Sequence, residues 1–162
     1  MAKPDYPITP AVRYLRRHNI AFQPWLYPYE DQGGTGHAAM SLQVDEHAVI
    51  KTLVMESDAR RPLLMLMHGD REVSTKQLAR QIGVKTVGPC DQAQVQKSTG
   101  YIVGGVSPFG TRQELPIYVE ATILDLERIY INGGKRGFLV EISPADLQRV
   151  LPVQAVTVAV ER

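Results

Sequence analysis

Two neighbouring apolar segments in the middle of the chain constrain its fold most strongly. The first, HAVIKTLVME at 47–56, is rich in apolar and β-branched residues, and the second, PLLMLMH at 62–68, is almost entirely apolar. A short run without polar residues is typical of a central strand that is covered on both faces. The two segments therefore predict a sheet whose middle is buried on both sides.

The composition suits a single domain that can bury such a sheet. The chain has 162 residues, of which 44% are hydrophobic and 22% are charged, which is typical of a folded globular protein. We therefore predict one domain over 1–162, with its core at about 9–151. No apolar run approaches the ~20 residues of a membrane helix, and the first ten residues lack the apolar core of a signal peptide. The single cysteine, Cys90, cannot form an internal disulfide, so we expect a cytoplasmic protein.

Local signals place helices between the strands. Thr9 and Pro10 predict the start of a helix that runs to about Asn19, and Ser74 with Gln77 forms a capping-box pattern for a helix over 75–82. Strict alternation predicts a strand over PIYVEATI at 116–123. Further helices are predicted at about 36–43, 91–98 and 144–151, and further strands at 22–29, 84–88, 138–142 and 155–160. This order predicts the α+β class, with a mixed, partly barrel-like sheet flanked by helices.

The charge balance excludes a protein that binds nucleic acid through its bulk charge. The chain has 18 Lys and Arg residues and 17 Asp and Glu residues, which gives a net charge of +1. Any contact with RNA must therefore depend on local patches. The outward-facing arginines of the first helix and a basic pair in a later turn are the candidates: Arg13, Arg16, Arg17, Lys135 and Arg136.

Lys51 is the most informative polar residue of the central segments. On a strand it shares a face with Val49, Leu53 and Met55, so its stem points where apolar groups point. A lysine placed there must find an acceptor or reach a cleft, because a desolvated ammonium is costly. The other interpretation is a lysine that extends from the strand to the surface.

A glycine-rich loop is the second candidate. In STGYIVGGVSPFG at 98–110, Gly104 and Gly105 allow the backbone to turn or to approach a ligand closely. Pro108 restricts the backbone conformation where the chain leaves the turn. Backbone N–H groups in such a loop can bind a carbonyl oxygen or a ribose hydroxyl. The alternative is an ordinary turn between strands.

Two other glycine segments match known motifs only superficially. The G-x-G-x-x-A pattern at 34–39 follows a segment with two prolines, so we interpret it as a loop and not as a dinucleotide site. The segment NGGKRG at 132–137 lacks the spacing of a P-loop and carries Arg136 where that motif needs Ser or Thr. We predict a tight hairpin turn at Gly133 and Gly134.

The usual catalytic groups are not apparent. Four histidines, at 18, 37, 47 and 68, show no metal-ligand spacing, so we predict no metal site. Ser107 does not lie in a nucleophile elbow, and a lone cysteine such as Cys90 is more often inert. An enzyme with this sequence would therefore need a substrate that is itself reactive.

Several motifs together resemble one known family. TPAV at 9–12, VIKTL at 49–53, KSTGYIVGGVSPFG at 97–110, LP at 115–116 and IYINGGKRG at 129–137 are similar to the YbaK-type aminoacyl-tRNA deacylases. These are free-standing relatives of the editing domain of bacterial prolyl-tRNA synthetase. The resemblance covers about 9–151.

The resemblance implies hydrolysis of the ester that joins a wrong amino acid to tRNA, with Cys-tRNA(Pro) as the expected substrate. The substrate would supply its own reactive group, and no cofactor would be needed. Lys51, Gly104 and Gly105 would form the catalytic set. The expected substrate-binding set is Tyr27, Thr52, Ser107, Pro108, Asn132 and Leu139. The implied partners are a mischarged aminoacyl-tRNA and, as one candidate, prolyl-tRNA synthetase, with no membrane and no DNA; the oligomeric state stays open, a monomer being one option.

Two positions depart from the family pattern. Leu139 stands where some cysteine-specific members carry Asp, and Asn132 stands where Ser is common. Relatives that remove alanine from tRNA share the same core motifs, so alanine remains an alternative. A module that binds tRNA or a synthetase without chemistry, and a small nucleotide-binding domain, are the alternatives from other classes.

Overall fold

The computed structural model describes residues 5–162; residues 1–4, part of the segment predicted to lack a signal peptide, lie outside that range. The α-helices are α1 (Pro10–Arg17), α2 (Gly34–Leu42), α3 (Thr75–Ile82), α4 (Gln92–Thr99) and α5 (Pro144–Val150). The strands are β1 (Gln23–Leu26), β2 (Val49–Ser57), β3 (Pro62–His68), β4 (Arg71–Val73), β5 (Val87–Pro89), β6 (Ile117–Glu120), β7 (Ile129–Lys135), β8 (Phe138–Ile142), β9 (Val153–Val156) and β10 (Ala159–Glu161). Short 3₁₀ helices occupy Glu46–Ala48 and Ala121–Asp125.

The helix boundaries follow the capping residues. Thr9 Oγ1 accepts a hydrogen bond from the Val12 N–H at the start of α1, and Ser74 Oγ accepts one from Gln77 at the start of α3. These bonds satisfy N–H groups that lack a partner within the helix. Helix α3 ends at Gly83, whose φ is +80°, a conformation that glycine adopts at low cost.

The large sheet mixes parallel and antiparallel pairs. Its order is β1-β8-β7-β2-β3-β6-β9, with β5 paired to β2 outside this path, and β10 with β4 forms a separate two-stranded sheet. Pairs β2–β3, β7–β8 and β1–β8 are antiparallel, whereas β2–β7, β3–β6 and β6–β9 are parallel. The α+β class with a mixed sheet flanked by helices is therefore confirmed. Strands β1 and β9 lie at the two ends of this order, and within residues 5–162 they do not pair with each other. The sheet is therefore open and not a closed barrel.

Both faces of the sheet are covered, as the central segments predict. The inner face carries the main core, where alternate residues of β2, β3, β6, β7 and β8 pack with α1 and α5. The outer face carries two smaller clusters, one beneath α3 and one beneath α2. No helix within residues 5–162 is long and apolar enough to cross a membrane.

Four local predictions are wrong. The segment 34–39, interpreted from the sequence as a loop, belongs to helix α2. The strand predicted over 116–123 ends at Glu120 and continues as a 3₁₀ helix. The closing strand predicted at 155–160 divides into β9 and β10, because the buried Glu120 carboxylate accepts from the N–H groups of Val158 (2.7 Å) and Ala159 (2.9 Å). Gly133 and Gly134 lie within β7 at a register shift and not in the turn, which falls at 136–137.

Candidate active site

The candidate site lies where the large sheet splits between β2 and β7. These parallel strands pair only at Val49 with Tyr130 and at Ile50 with Ile131. Beyond these pairs, β2 continues beside β5, and β7 continues beside β8. Lys51 and Asn132 are therefore the first residues of the two strands after the split, 51 following Ile50 and 132 following Ile131. Because residues in register on parallel strands point to the same side, both belong to the outer face.

Two more predicted residues belong to this outer face. Leu139 on β8 pairs with Asn132, and Trp25 on β1 pairs with Leu139, so Tyr27 two residues later shares the face. Leu139 is buried and packs beneath α2. Tyr27 is half-buried beside the same cluster, with its ring edge towards His37 at 5.9 Å between centroids. The face thus brings four predicted residues onto three neighbouring strands and the end of β1, but Leu139 is covered by the helix.

Lys51 lies between the two outer clusters and finds an acceptor there. Its side chain is 19% exposed. The ammonium nitrogen donates to the carbonyl oxygen of Arg71 at 2.5 Å and lies 3.8 Å from the Glu72 carboxylate. Burial lowers the pKa of Lys51, and the Glu72 charge opposes this only in part. The ammonium is therefore partly desolvated and is held towards β4. We call the gap between β2 and β7 beyond Ile50 and Ile131 the cleft, with Lys51 on its β4 side and the glycine loop, bound by Asn132, on its β7 side.

The glycine loop is fastened to the β7–β8 hairpin by side-chain hydrogen bonds. Asn132 Nδ2 donates to the Gly104 carbonyl at 3.2 Å, while its Oδ1 accepts from the N–H groups of Gly134 and Lys135. Arg136 Nε donates to the Val103 carbonyl at 3.0 Å. One amide side chain thus fixes the loop and the bulge of β7 together.

Gly104 and Gly105 are required by this contact itself. Gly104 has φ +91°, and a Cβ there would lie 2.7 Å from the Tyr29 hydroxyl. A Cβ on Gly105 would lie 2.9 Å from the Arg136 backbone nitrogen, closer than carbon and nitrogen normally approach. The close approach that the two glycines permit is therefore to the protein's own hairpin.

The three remaining predicted residues differ in their surroundings. Thr52 follows Lys51 and so points to the inner face; its Oγ1 is buried and, within residues 5–162, has no hydrogen-bond partner. Ser107 is fully buried, and its Oγ accepts from the Phe109 N–H at 3.2 Å, which stabilises the loop. Pro108 is buried and borders a separate groove that also contains Tyr14. Only the Thr52 hydroxyl is an unsatisfied polar group of the kind that a ligand can satisfy.

A cluster of histidines and a carboxylate adjoins the Lys51 side of the cleft. His47 Nδ1 lies 2.7 Å from Asp70 Oδ1, and the rings of His47 and His68 stack at 3.7 Å with an interplanar angle of 7°. Both ring nitrogens of His68 are engaged, Nδ1 with the His47 carbonyl and Nε2 with the Thr122 hydroxyl. A metal ion binds in the plane of an imidazole ring, and two parallel stacked rings share no plane. The arrangement therefore suits a hydrogen-bonded pair and not joint ligands of one metal ion.

The nucleophilic side chains near the glycine loop are not activated. Burial, followed by the charges of Glu56 and Asp91, raises the pKa of the Cys90 thiol to about 11, so this group is a thiol at neutral pH and a poor nucleophile. The hydroxyl of Thr99 is buried and hydrogen-bonded within the loop region, as is that of Ser107. A reaction in this cleft would have to draw its nucleophile from the substrate or from water.

Three contributing residues were not identified as such from the sequence. The sequence predicts only an RNA contact for Arg136. In the structure its side chain holds the glycine loop and lies over the Tyr29 ring, 5.0 Å from the ring centroid. Glu72 provides the carboxylate nearest to Lys51. Tyr29 and Glu72 are far from their partners in the chain, so no sequence spacing signals them; Arg136 lies in the GGKRG segment, which could have directed attention to it.

Comparison with known proteins gives the family. The family profile described as the aminoacyl-tRNA editing domain matches residues 32–150. The EbsC protein of Enterococcus faecalis, whose proposed name is Cys-tRNA(Pro)/Cys-tRNA(Cys) deacylase, is 29% identical over 137 residues, which are 84% of each chain. A proline–tRNA ligase of Moorella thermoacetica is 33% identical over 104 residues, which are 64% of this chain and 18% of the ligase.

A solved structure supports the fold. It is described as a proposed trans-editing enzyme for prolyl-tRNA synthetase and superposes with a TM-score of 0.81, covering 94% of this chain and 98% of that one at 20% identity. The family profile and the similarity to EbsC confirm the resemblance inferred from the GGVSP and GGKRG segments. Because the family profile spans well over half of the sequence, we conclude that this chain belongs to the family of aminoacyl-tRNA editing domains.

Proposed function

We propose that the protein hydrolyses the ester that joins a mischarged amino acid to the 3′ end of a tRNA. The observation that carries this proposal is the register of β2 and β7: where these strands separate, it places the half-buried ammonium of Lys51 and the side chain of Asn132, which holds the glycine loop, at equivalent positions on the same face. Membership of the editing-domain family supports the same reaction. An aminoacyl ester is already activated, so positioning and charge stabilisation can supply most of the acceleration.

The reaction proceeds without a covalent intermediate on the protein. The thiol of Cys90 is protonated, and the hydroxyls of Thr99 and Ser107 are committed to hydrogen bonds. A water molecule, or a reactive group of the substrate such as a thiol, adds to the carbonyl carbon. The acyl C–O bond then breaks, and the ribose oxygen takes up the proton that the nucleophile releases. The terminal ribose hydroxyl beside the ester can pass on that proton. With water as the nucleophile the product is the free amino acid; with the substrate's thiol it is a cyclic thioester, which a water molecule then hydrolyses to the free amino acid.

Lys51 orients the substrate by charge and does not act as a base. Its ammonium is on the same face as Asn132 and is held by one carbonyl and one distant carboxylate. An aminoacyl carbonyl or a terminal phosphate can replace the Arg71 carbonyl as its acceptor without leaving a charge unpaired. Gly104, Gly105 and Pro108 then shape the loop whose backbone lies against the reacting carbonyl.

Cysteine on tRNA(Pro) is the first expected substrate, and alanine is the second. EbsC, with 84% coverage of both chains, carries that cysteine specificity in its proposed name. Pockets discriminate one methylene by only ~1–3 kcal/mol, so neighbours of similar size should be excluded poorly. Translation supplies such substrates in the cytoplasm, with prolyl-tRNA synthetase as the candidate partner that releases them.

A panel of aminoacyl-tRNAs tests the proposal. Cys-, Ala- and Pro-tRNA(Pro) are compared by kcat/KM, with and without prolyl-tRNA synthetase. We expect hydrolysis in the order Cys, then Ala, with Pro spared. Efficient hydrolysis of Pro-tRNA(Pro) or of a bulky aminoacyl group would contradict the specificity. Tight binding of all three without hydrolysis would instead favour a non-catalytic binding module.

A further inference from the structure

A groove at the far end of the glycine loop carries a local excess of positive charge. Its volume is about 610 Å³, and its walls come from α1, from residues 108–115 and from the segment after α5. Three arginines line it, Arg13 and Arg17 from α1 and Arg112 from the loop, against one acidic residue, Glu114. Three positive charges minus one negative charge leave +2 here, in a chain whose whole net charge is only +1. We call this feature the arginine groove.

The three guanidinium groups are available to an external anion. All three residues are exposed, and among residues 5–162 no carboxylate lies within 4.0 Å of any of them. The neighbouring Arg16 differs, because it donates to the Tyr6 hydroxyl at 2.9 Å and lies over that ring. Of the three arginines of α1, the two that line the groove are therefore the ones whose guanidinium groups have no such partner.

The shape of the groove suits a sugar–phosphate strand. Arg13 and Arg17 are one helical turn apart, which separates their Cα atoms by about 6 Å along the axis, a spacing suited to consecutive phosphates. The floor between them and Arg112 is apolar, with Leu115 and Ile117 buried. Arginine binds phosphate through paired N–H groups, and an apolar floor can take the sugar faces.

The groove and the candidate active site share one loop. Pro108 borders the groove, whereas the Gly104 carbonyl is bound by Asn132 in the cleft. Three residues lie between Gly104 and Pro108, so the two are at most about 14 Å apart even if the chain is fully extended. The groove lies on the α1 side of the sheet and Lys51 on the other side, so an RNA strand whose 3′ end occupies the cleft would pass around this loop to enter the groove.

We propose that the arginine groove binds the phosphate backbone of the substrate RNA next to its aminoacylated end. This inference rests on the proposed function, because it assigns the rest of the tRNA to a surface beside the same site. Three phosphate contacts correspond to a slope of about −2 to −3 when the logarithm of the affinity is plotted against that of the salt concentration.

The test compares two triple variants with the same loss of charge. Arg13→Gln, Arg17→Gln and Arg112→Gln together remove the groove charges; Arg60→Gln, Arg61→Gln and Arg80→Gln together remove three exposed arginines elsewhere. Binding of an uncharged tRNA(Pro) transcript is measured from low to moderate salt. We expect the groove variant to lose at least tenfold in affinity and most of the salt slope, and the control to change little. Each single groove substitution should reduce the slope by about 1.

The outcomes separate this inference from the proposed function. For the groove variant, the loss of kcat/KM on aminoacyl-tRNA should exceed the loss on 3′-aminoacyl-adenosine, which has no flanking phosphates. Equal losses in both triple variants, or no loss in the groove variant, would overturn the inference. If the unmodified protein hydrolyses neither substrate, the proposed function fails, yet the binding comparison still decides whether the groove holds RNA.

Discussion

The two sides of the cleft are held by different forces. On the loop side, Gly104 and Gly105 press against the β7–β8 hairpin, and Asn132 and Arg136 bind the loop carbonyls. On the β4 side, Lys51 is held by one carbonyl and by charge. The carboxylates of Glu72, Glu46 and Asp70 act on its ammonium, and Arg162 in turn pairs with Glu46 through two contacts of 3.0 Å.

This difference separates a fixed surface from an adjustable one. Steric contact between backbones changes little with salt or pH, whereas interactions among partly exposed charges are screened and titrate. The loop side can therefore present a preformed backbone to the reacting ester, and the Lys51 side can exchange one acceptor for another as substrate binds. We expect changes on the loop side to affect stability first and changes at Lys51 to affect catalysis first.

Removing the ammonium should give the largest effect. For Lys51→Ala we expect kcat/KM on Cys-tRNA(Pro) to fall by about 100-fold or more, because the charge that orients the substrate is lost. Stability should change by less than about 1 kcal/mol, since loss of the hydrogen bond to Arg71 is offset by removal of a partly desolvated charge. Hydrolysis assays and urea melts measure the two quantities.

Lys76→Ala, at an exposed lysine of α3, is the matched control and should leave both quantities unchanged. Near-normal hydrolysis by Lys51→Ala would remove Lys51 from the site. Unfolding of that variant would instead show that the charged side is structural, and the contrast between the two sides would fail.

Adding one methyl group to the loop should give the next largest effect. In Gly105→Ala, the new Cβ would meet the Arg136 backbone nitrogen at 2.9 Å and the Lys135 carbonyl carbon at 3.1 Å. Backbone atoms cannot move aside cheaply, so we expect a loss of about 1–3 kcal/mol in the free energy of unfolding. Hydrolysis should fall as well, because the loop shifts from the hairpin.

Gly88→Ala is the control for this substitution, since no heavy atom lies within 4 Å of its Cβ position and its φ is not positive. We expect it to be neutral or slightly stabilising. If Gly105→Ala unfolds at the same urea concentration as Gly88→Ala, the loop is not pressed against the hairpin in solution.

The sequence predicts the charged side of the cleft better than the steric side. Alternation along β2 places Lys51 among apolar residues, and the need for an acceptor follows from that alone. In the structure the acceptor is the Arg71 carbonyl on β4. No local pattern indicates it, because β4 comes near Lys51 only when β2 pairs with β3, the strand that precedes β4. Capping residues likewise predict α1 and α3 because their signals are local.

The errors arise where distant groups decide. Substrate binding by Leu139 stays a prediction, but α2 covers this residue, and the position of α2 cannot be read from the sequence of β8. The strand predicted over 116–123 ends early, and the closing strand divides where the Glu120 carboxylate binds two N–H groups nearly forty residues away. A buried carboxylate in an alternating strand looks like a solvent-facing residue when only the sequence is considered.

The smallest expected effect comes from the histidine pair beside Lys51, and it sharpens the contrast in pH dependence. His68 is 1% exposed, and its Nδ1–H donates to the His47 carbonyl at 2.7 Å. Burial lowers the pKa of His68 below its usual 6.5. The unfolded chain therefore takes up this proton first, so the free energy of unfolding should fall as the pH drops below about 6.5 and level off below the folded pKa.

The decline should be smaller than the cost of Gly105→Ala. Urea melts between pH 7.5 and 5 measure it, and His68→Gln should flatten it. Asp70 does not interfere: burial acts to raise its pKa, but the His47 hydrogen bond and the charges of His47 and Arg71 outweigh this and lower it, so its contribution is lost only below about pH 3.8. An equally steep decline in His68→Gln would mean that the charged side of the cleft does not carry the pH dependence that its burial predicts.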